Sequence, residues 1–382
     1  MTGPLPNEVL AALDRHLPAA VALRHRLHAD PRGSGDETDT AELVAAALGA
    51  PGVTVAKTGR LVQLGDGDHA IALRSELDAL PVVERTGAAW ASANGFMHAC
   101  GHDVHLAALV AACAAIADTG GGVTALLQPR EESSPSGAAD VVESGVLADH
   151  GIRAVVGAHL QPAVESGTIA VTPGLVNASS DELELLVTGR GGHAGYPHTV
   201  ADPVLALANA VLALQQVAAR RVDPVHGAVC MITEIHAGTA ANVVPDVARA
   251  RGTLRLMRNE HRSLVAEQLR EIAEAAAATY GCTAELTVTP GEPVLDNDPA
   301  LARAASAILV AAGWTVRSDF RSFGADDFSH FGTVLPALML FVGVGRDRGA
   351  GLHDPSFLPP DEAIGAVAQA LVAGYLGAAA AL

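Results

Sequence analysis

The strongest constraint on this chain's fold is a change of pattern partway along it. From residue 69, short apolar runs alternate with helical stretches: 69–75 (HAIALRS), helix 103–117, 122–128 (GVTALLQ), helix 137–146 and 153–159 (RAVVGAH). Segments 7–29 and 39–49 before them carry helical spacing. After residue 290 the alternation resumes with helix 299–312, strand 337–344 (ALMLFVGV) and helix 361–377. Strands separated by helices predict a mostly parallel sheet, because parallel neighbours need a crossover connection. Between 178 and 289 the order becomes strand 181–189, helix 201–218, strands 227–237 and 246–256, helix 259–280 and strand 283–289. This β-α-β-β-α-β order predicts a ferredoxin-like unit. The expectation is a discontinuous α/β domain, 1–177 with 290–382, interrupted by an inserted α+β domain, 178–289. A chain of 382 residues also exceeds the size at which one core stops growing.

Charge narrows the partners. With 24 basic against 42 acidic residues the formal net charge is −18, and no basic run exists to neutralise phosphates, so no nucleic-acid partner is expected. Cys100, Cys113, Cys230 and Cys282 are widely separated. That spacing argues against a disulfide framework and for a reducing, cytoplasmic setting. The last three sit in apolar or strand contexts and are expected in the core. The N-terminus lacks a basic stretch followed by an apolar one, so no signal peptide is expected. Apolar runs such as 104–117 are too short to span a bilayer, and no membrane partner is expected. The Ala-rich end, 369–382, is expected as a last helix on the body.

In open α/β sheets, ligands bind beyond the carboxyl ends of the strands. Glu76 and Asp78 follow the first expected strand (RSELDALP), Glu131 and Glu132 the second (QPREESS), and His159 lies at the end of the third (GAHLQP). His353 and Asp354 (GLHDPSF) follow the strand at 337–344. The stretch 97–105, MHACGHDVH, precedes helix 103–117 and holds three histidines, a cysteine and an aspartate. Carboxylate, imidazole and thiolate together suit a divalent metal used for hydrolysis. Cys100 and His102 would point about 200° apart on a helix. They can share a metal only if Gly101 lets the chain turn first, with Asp103 as the expected N-cap. The doublet Glu131-Glu132 fits a division of labour, one carboxylate on metal and one as base. Asp326 and Asp327 are expected to cap the turn that follows them.

HACGHDVH, EES, GAHLQP, HAGYPH, NVVPD and GLHDPSF, in this order, resemble the M20 metallopeptidases. The likeness extends to the amidohydrolases that act on N-acyl amino acids, hippurate and auxin conjugates. It covers essentially the whole chain and implies a zinc-exopeptidase-like catalytic domain. It implies two divalent metal ions, zinc or alternatively manganese, held by Cys100, His102, Glu132, His159 and His353. Glu131 would be general base and acid, and Asp78 a carboxylate that orients a ligand. His193 would help stabilise the oxyanion in a partner subunit's active site, and Asn242 and Arg255 would contact substrate. The implied assembly is a homodimer through the inserted domain. Three motifs depart from the family: RSELDALP carries Glu76 where an aspartate is usual, HADPRGSGDE replaces H-P-E-L-G-F-E-E, and GADDFSHF replaces G-x-E-D-F.

The expected function is metal-dependent hydrolysis of the amide bond of a small N-acyl amino acid or related conjugate. A dipeptidase or carboxypeptidase on the same scaffold is the alternative. A catalytically silent binding protein is disfavoured by the near-intact ligand set.

Overall fold

The structure is a computed structural model describing residues 6–345 and 350–382. The chain forms two compact units. One runs to Val176 and continues through Asp296–Arg321 and Asp326–Leu382; the other is Asn177–Leu295 with Ser322–Ala325. The return to the outer unit thus falls at 296 rather than the expected 290. Ser322–Ala325 join the inserted unit although the sequence pattern assigns them to the outer one.

The outer unit is built on an eight-stranded sheet. Its centre is parallel, in the order Val123–Gln128, Ile71–Glu76, Ala154–Gln161, Ala337–Gly343. Three of these four strands are buried at every residue, and the Ala154–Gln161 strand at all but its last. A parallel strand covered on both faces is mostly apolar; here the polar side chains near the carboxyl ends, among them Arg74, Glu76, Gln128 and His159, are buried as well. Antiparallel pairings extend the sheet toward its edges: Gly59–Leu64 lies against Val123–Gln128, and Thr168–Ala170 against Ala337–Gly343. The edge strands Val53–Val55, Gly59–Leu64, Thr168–Ala170 and Thr315–Arg317 were not expected; three of the four have only three residues, too few to show a period.

Helices Pro6–Ala29, His102–Asp118 and Glu362–Ala381 pack on one another and close the core. Glu362–Ala381 and Pro203–Arg221 are long and apolar enough to cross a membrane by length and composition alone. The former is a core helix: 72% of its apolar window is buried. At Gly374 an added Cβ would lie 2.4 Å from Val156 Cγ1, so a glycine there lets helix and sheet approach. The expected helix 137–146 is two short helices, Gly137–Glu143 and Val146–Asp149, broken where Gly145 takes φ +73°.

The inserted unit has four antiparallel strands ordered Ala228–Ala237, Val247–Leu256, Asp181–Thr188, Thr283–Pro290, the ferredoxin-like arrangement. Asp181–Thr188 alternates buried and open positions, and its buried Leu183, Leu185 and Val187 share a core with helices Pro203–Gln216 and Arg262–Ala278. Asp202 caps the first of these helices, its side chain accepting from Val204 N–H at 2.8 Å.

Candidate metal centre

The site is assembled at the carboxyl ends of the central parallel strands. Helix His102–Asp118 starts directly after Gly101, which takes φ +85° as the helix cap. The left-handed turn releases Cys100 from helical geometry, so the thiol and the next imidazole can face one space. Asp103 is not the N-cap. Its carboxylate is drawn into the core by buried Arg24, whose Nε donates to Oδ2 at 3.0 Å, and by His28 Nδ1 at 2.9 Å.

The two buried imidazoles expected as ligands are oriented by backbone. His102 Nδ1–H donates to the Asp78 carbonyl at 2.8 Å, and His159 Nδ1–H to the Leu160 carbonyl at 2.7 Å. In the neutral ring of each, the acceptor nitrogen is then Nε2, the form in which imidazole binds a metal. His159 Nε2 lies 3.4 Å from Cys100 Sγ. His353 takes φ +67° and is held by its N–H to the Ala99 carbonyl at 2.9 Å; its Nε2 is 3.5 Å from Glu132 Oε1. Donor atoms of Cys100, Glu132 and His353 lie mutually within 4.8 Å, and so do those of His102, Glu131 and Glu132. Glu132 belongs to both groups. All five ligands implied by the sequence, with Glu131, therefore meet in one place.

The donor set fits divalent cations. Buried His102 Nε2 and Glu132 Oε1 have no hydrogen-bond partner among the described residues and lie 4.0 Å apart. Unpaired buried polar atoms are costly, and ligation to a cation satisfies both. Thiolate, imidazole and carboxylate are the ligands zinc takes, while carboxylate also serves manganese.

Asp78 contributes no oxygen to these groups. Its carboxylate accepts from Ser34 Oγ at 2.6 Å and from the N–H groups of Glu131 and Glu132 at 3.1 and 2.9 Å. It thus fixes the backbone carrying the glutamate pair, while its own carbonyl orients His102. Glu37 supports the same loop: fully buried, it accepts from Arg130 N–H at 2.9 Å, Gly35 N–H at 2.8 Å and Thr58 Oγ1 at 2.7 Å. Sequence reasoning missed Ser34 and Glu37; both lie in the GSGDE stretch, where an acidic group beside glycines was the available signal.

Electrostatics separates the two glutamates. Burial, then repulsion from Glu132, Asp326 and Asp327, raises the Glu131 carboxyl well above its ordinary range. Burial also acts to raise Glu132, but His353, His102 and His159 outweigh it and hold that carboxyl below its usual value. Burial and the surrounding carboxylates push the Cys100 thiol far up, so it needs a cation to become a thiolate. Glu131, Asp326 and Asp327 have oxygens within 4.8 Å of one another. Asp326 caps the Asp327–Thr333 turn by accepting from Phe328 N–H at 2.9 Å. Asp327 binds Arg74 Nη2, Gln128 Nε2 and Ala138 N–H at 2.7, 2.7 and 3.1 Å.

The three remaining sequence candidates lie in the inserted unit. His193 is exposed on a two-stranded ribbon, paired with Val243. Its Nδ1 accepts from Gly195 N–H at 3.0 Å, so the neutral ring carries its proton on Nε2. Asn242 is exposed in the turn that leads into this ribbon, and its carbonyl accepts from Ala194 N–H at 3.0 Å. Arg255, half-buried on Val247–Leu256, donates through Nη1 to the Phe323 carbonyl at 2.9 Å.

Residues 72–374 match the sequence model of peptidase family M20/M25/M40. The chain is 34% identical over 361 residues to an N-acetylcysteine deacetylase of Bacillus subtilis, covering 91% of this chain and 94% of that one. It is 31% identical over 373 residues to thermostable carboxypeptidase 2 of Saccharolobus solfataricus, covering 92% and 94%. Among solved structures, a Bacillus subtilis dinuclear metal-binding peptidase from the M20 family superposes with a TM-score of 0.82 at 31% identity, over 95% of this chain and 99% of that one. With its ligand groups gathered on the rim of a matching fold, the chain belongs to peptidase family M20/M25/M40, a metal-dependent hydrolase.

Proposed function

We propose that this chain cleaves the amide bond of small N-acyl amino acids or related conjugates, with Glu131 as general base. The observation that carries the reading is the meeting of Cys100, His102, Glu132, His159 and His353 around one space, with the raised carboxyl of Glu131 on its edge. When bound, two divalent ions, zinc or alternatively manganese, polarise a carbonyl and lower the pKa of water. Glu131 takes the proton from the attacking water and returns it to the leaving nitrogen, which suits a carboxyl raised above its ordinary range. Asp78 and Glu37 hold the backbone that aims it. The partner subunit's His193 donates its Nε2–H to the developing oxyanion, and Asn242 and Arg255 meet the substrate's polar groups.

The assembly we propose is a homodimer through the inserted unit. Its edge strand Ala228–Ala237 exposes Met231 and Ile235, and helix Pro203–Gln216 exposes Leu205 and Leu212. Exposed apolar side chains gathered on one unit mark an interaction surface. All four cysteines are free and buried, which supports a reducing, cytoplasmic setting.

Similarity to an N-acetylcysteine deacetylase favours acylated amino acids; similarity to a carboxypeptidase keeps peptides as the second reading. A panel of N-acyl amino acids beside dipeptides and longer peptides, assayed with metal-loaded protein, separates them. Glu131→Gln should lower kcat by on the order of 10²–10⁴ with metal content unchanged. Wild-type turnover in that variant removes Glu131 as the base.

A further inference from the structure

The central sheet loses a pairing next to the metal centre. Strand Ile71–Glu76 pairs with Ala154–Gln161 only as far as Arg74 opposite Gly157. Beyond that point Leu160 is fully buried, with an N–H and a carbonyl facing no strand on that side. Two imidazoles replace it. His105 Nε2 accepts from Leu160 N–H at 3.0 Å, and His159 Nδ1–H donates to the Leu160 carbonyl at 2.7 Å. Because Leu160 N–H can only donate, the His105 proton must sit on Nδ1, where Glu76 Oε2 accepts it at 3.0 Å. Glu76 is in turn bound through Oε1 to the guanidinium of buried Arg74.

We propose that Arg74, Glu76 and His105 form a positioning brace: by holding one His105 tautomer they fix the peptide at Leu160 and, through its carbonyl, the orientation of His159 at the metal centre. The proposal rests on His159 being a metal ligand. Glu76, His102, His105 and His159 also have potential ligand atoms within 4.8 Å of one another, which would otherwise suggest a further metal site. Both nitrogens of His105 and both oxygens of Glu76 are taken by hydrogen bonds, so these two side chains support the centre without ligating. The two oxygens of Glu76 reach Arg74 and His105 at once.

Two substitutions separate bracing from ligation. His105→Leu removes both hydrogen bonds. His105→Gln keeps one acceptor and one donor on its amide, as the neutral ring does. The full-length variants would be titrated with zinc against a chromogenic chelator, and the visible spectrum of the cobalt(II)-loaded forms recorded. The expected result is two equivalents of metal in every protein, with zinc affinity weakened about 10- to 100-fold in His105→Leu, an altered cobalt spectrum, and recovery in His105→Gln. Wild-type affinity and spectrum in His105→Leu would overturn the brace. Loss of a whole equivalent in both variants, or a third equivalent in the wild type, would overturn it in favour of ligation by His105. A wild-type protein that retains no metal would instead refute the metal reading beneath it. Should His105→Leu fail to fold, Glu76→Gln sets an amide N–H against a donor and is expected to weaken zinc in the same direction; unchanged affinity there would overturn the brace equally.

Discussion

Replacing Arg74 by methionine isolates the energetics beneath the metal centre. The arginine is fully buried; its guanidinium donates to Gln128 Oε1 and to Asp327 Oδ1, each at 2.7 Å, and to Glu76. Methionine keeps most of the apolar stem but leaves Glu76 and Asp327 as buried carboxylates without their cation. Removing one partner of a buried ion pair costs about 3–5 kcal/mol, a large share of a typical stability of about 5–15 kcal/mol. The penalty should depend on pH with a definite sign. Burial alone would raise the Glu76 carboxyl, but Arg74, then His105 and His102, outweigh it and hold it well below the usual carboxylate range. A depressed carboxylate contributes stability that is present above the unfolded pKa of about 4.3 and is lost as pH falls through the folded value. The methionine variant lacks that contribution and leaves burial free to raise the carboxyl, so its deficit should be largest at pH 7 and shrink as pH falls through and below about 4.3. Trp90 and Trp314, the only two tryptophans, both lie in the outer unit, so urea unfolding of metal-free protein followed by tryptophan fluorescence reports on that unit. A deficit below about 1 kcal/mol at pH 7, or one that does not shrink on acidification, would refute the reasoning.

Three further outcomes are expected. Cys100→Ala should lower bound metal per chain in elemental analysis; full occupancy would remove the thiol from the ligand set. Gly101→Ala places a Cβ at φ +85° and 2.8 Å from Leu160 Cδ1, so it should cost about 1–2 kcal/mol for the left-handed backbone and loosen metal retention, and an unchanged melting temperature would contradict this. Burial pushes the His98 imidazole down to about 3; since its folded pKa lies below the unfolded 6.5, stability should fall as pH drops from about 6.5 toward 3, by up to about 1.4 kcal/mol per pH unit. His98→Asn should flatten that slope, and parallel pH profiles for the two proteins would count against it.

The sequence by itself determined the parts whose signal is local. Short, mostly apolar runs marked the covered parallel strands, and the order of strands and helices across 178–289 marked the inserted unit. Glu131, Glu132 and His159 could be read because each lies at or just past the end of an apolar run, where an α/β sheet exposes its ligand rim, and Cys100 and His102 because they stand in a dense cluster of ligand side chains just ahead of a helix. How the intervening charges pair is visible only once the chain is folded. Asp103 looks like a helix cap in sequence, yet buried Arg24, 79 positions away, claims its carboxylate. Glu76 looks like a rim acid, yet it is consumed between Arg74 and His105. Asp327 looks like turn chemistry, yet it neutralises Arg74 across 253 positions. Periodicity records which side of an element is buried; it carries no information about which buried charges will face each other. That pairing is set only when the sheet closes, because a charge withdrawn from water must find its partner among whatever the fold brings within hydrogen-bond distance.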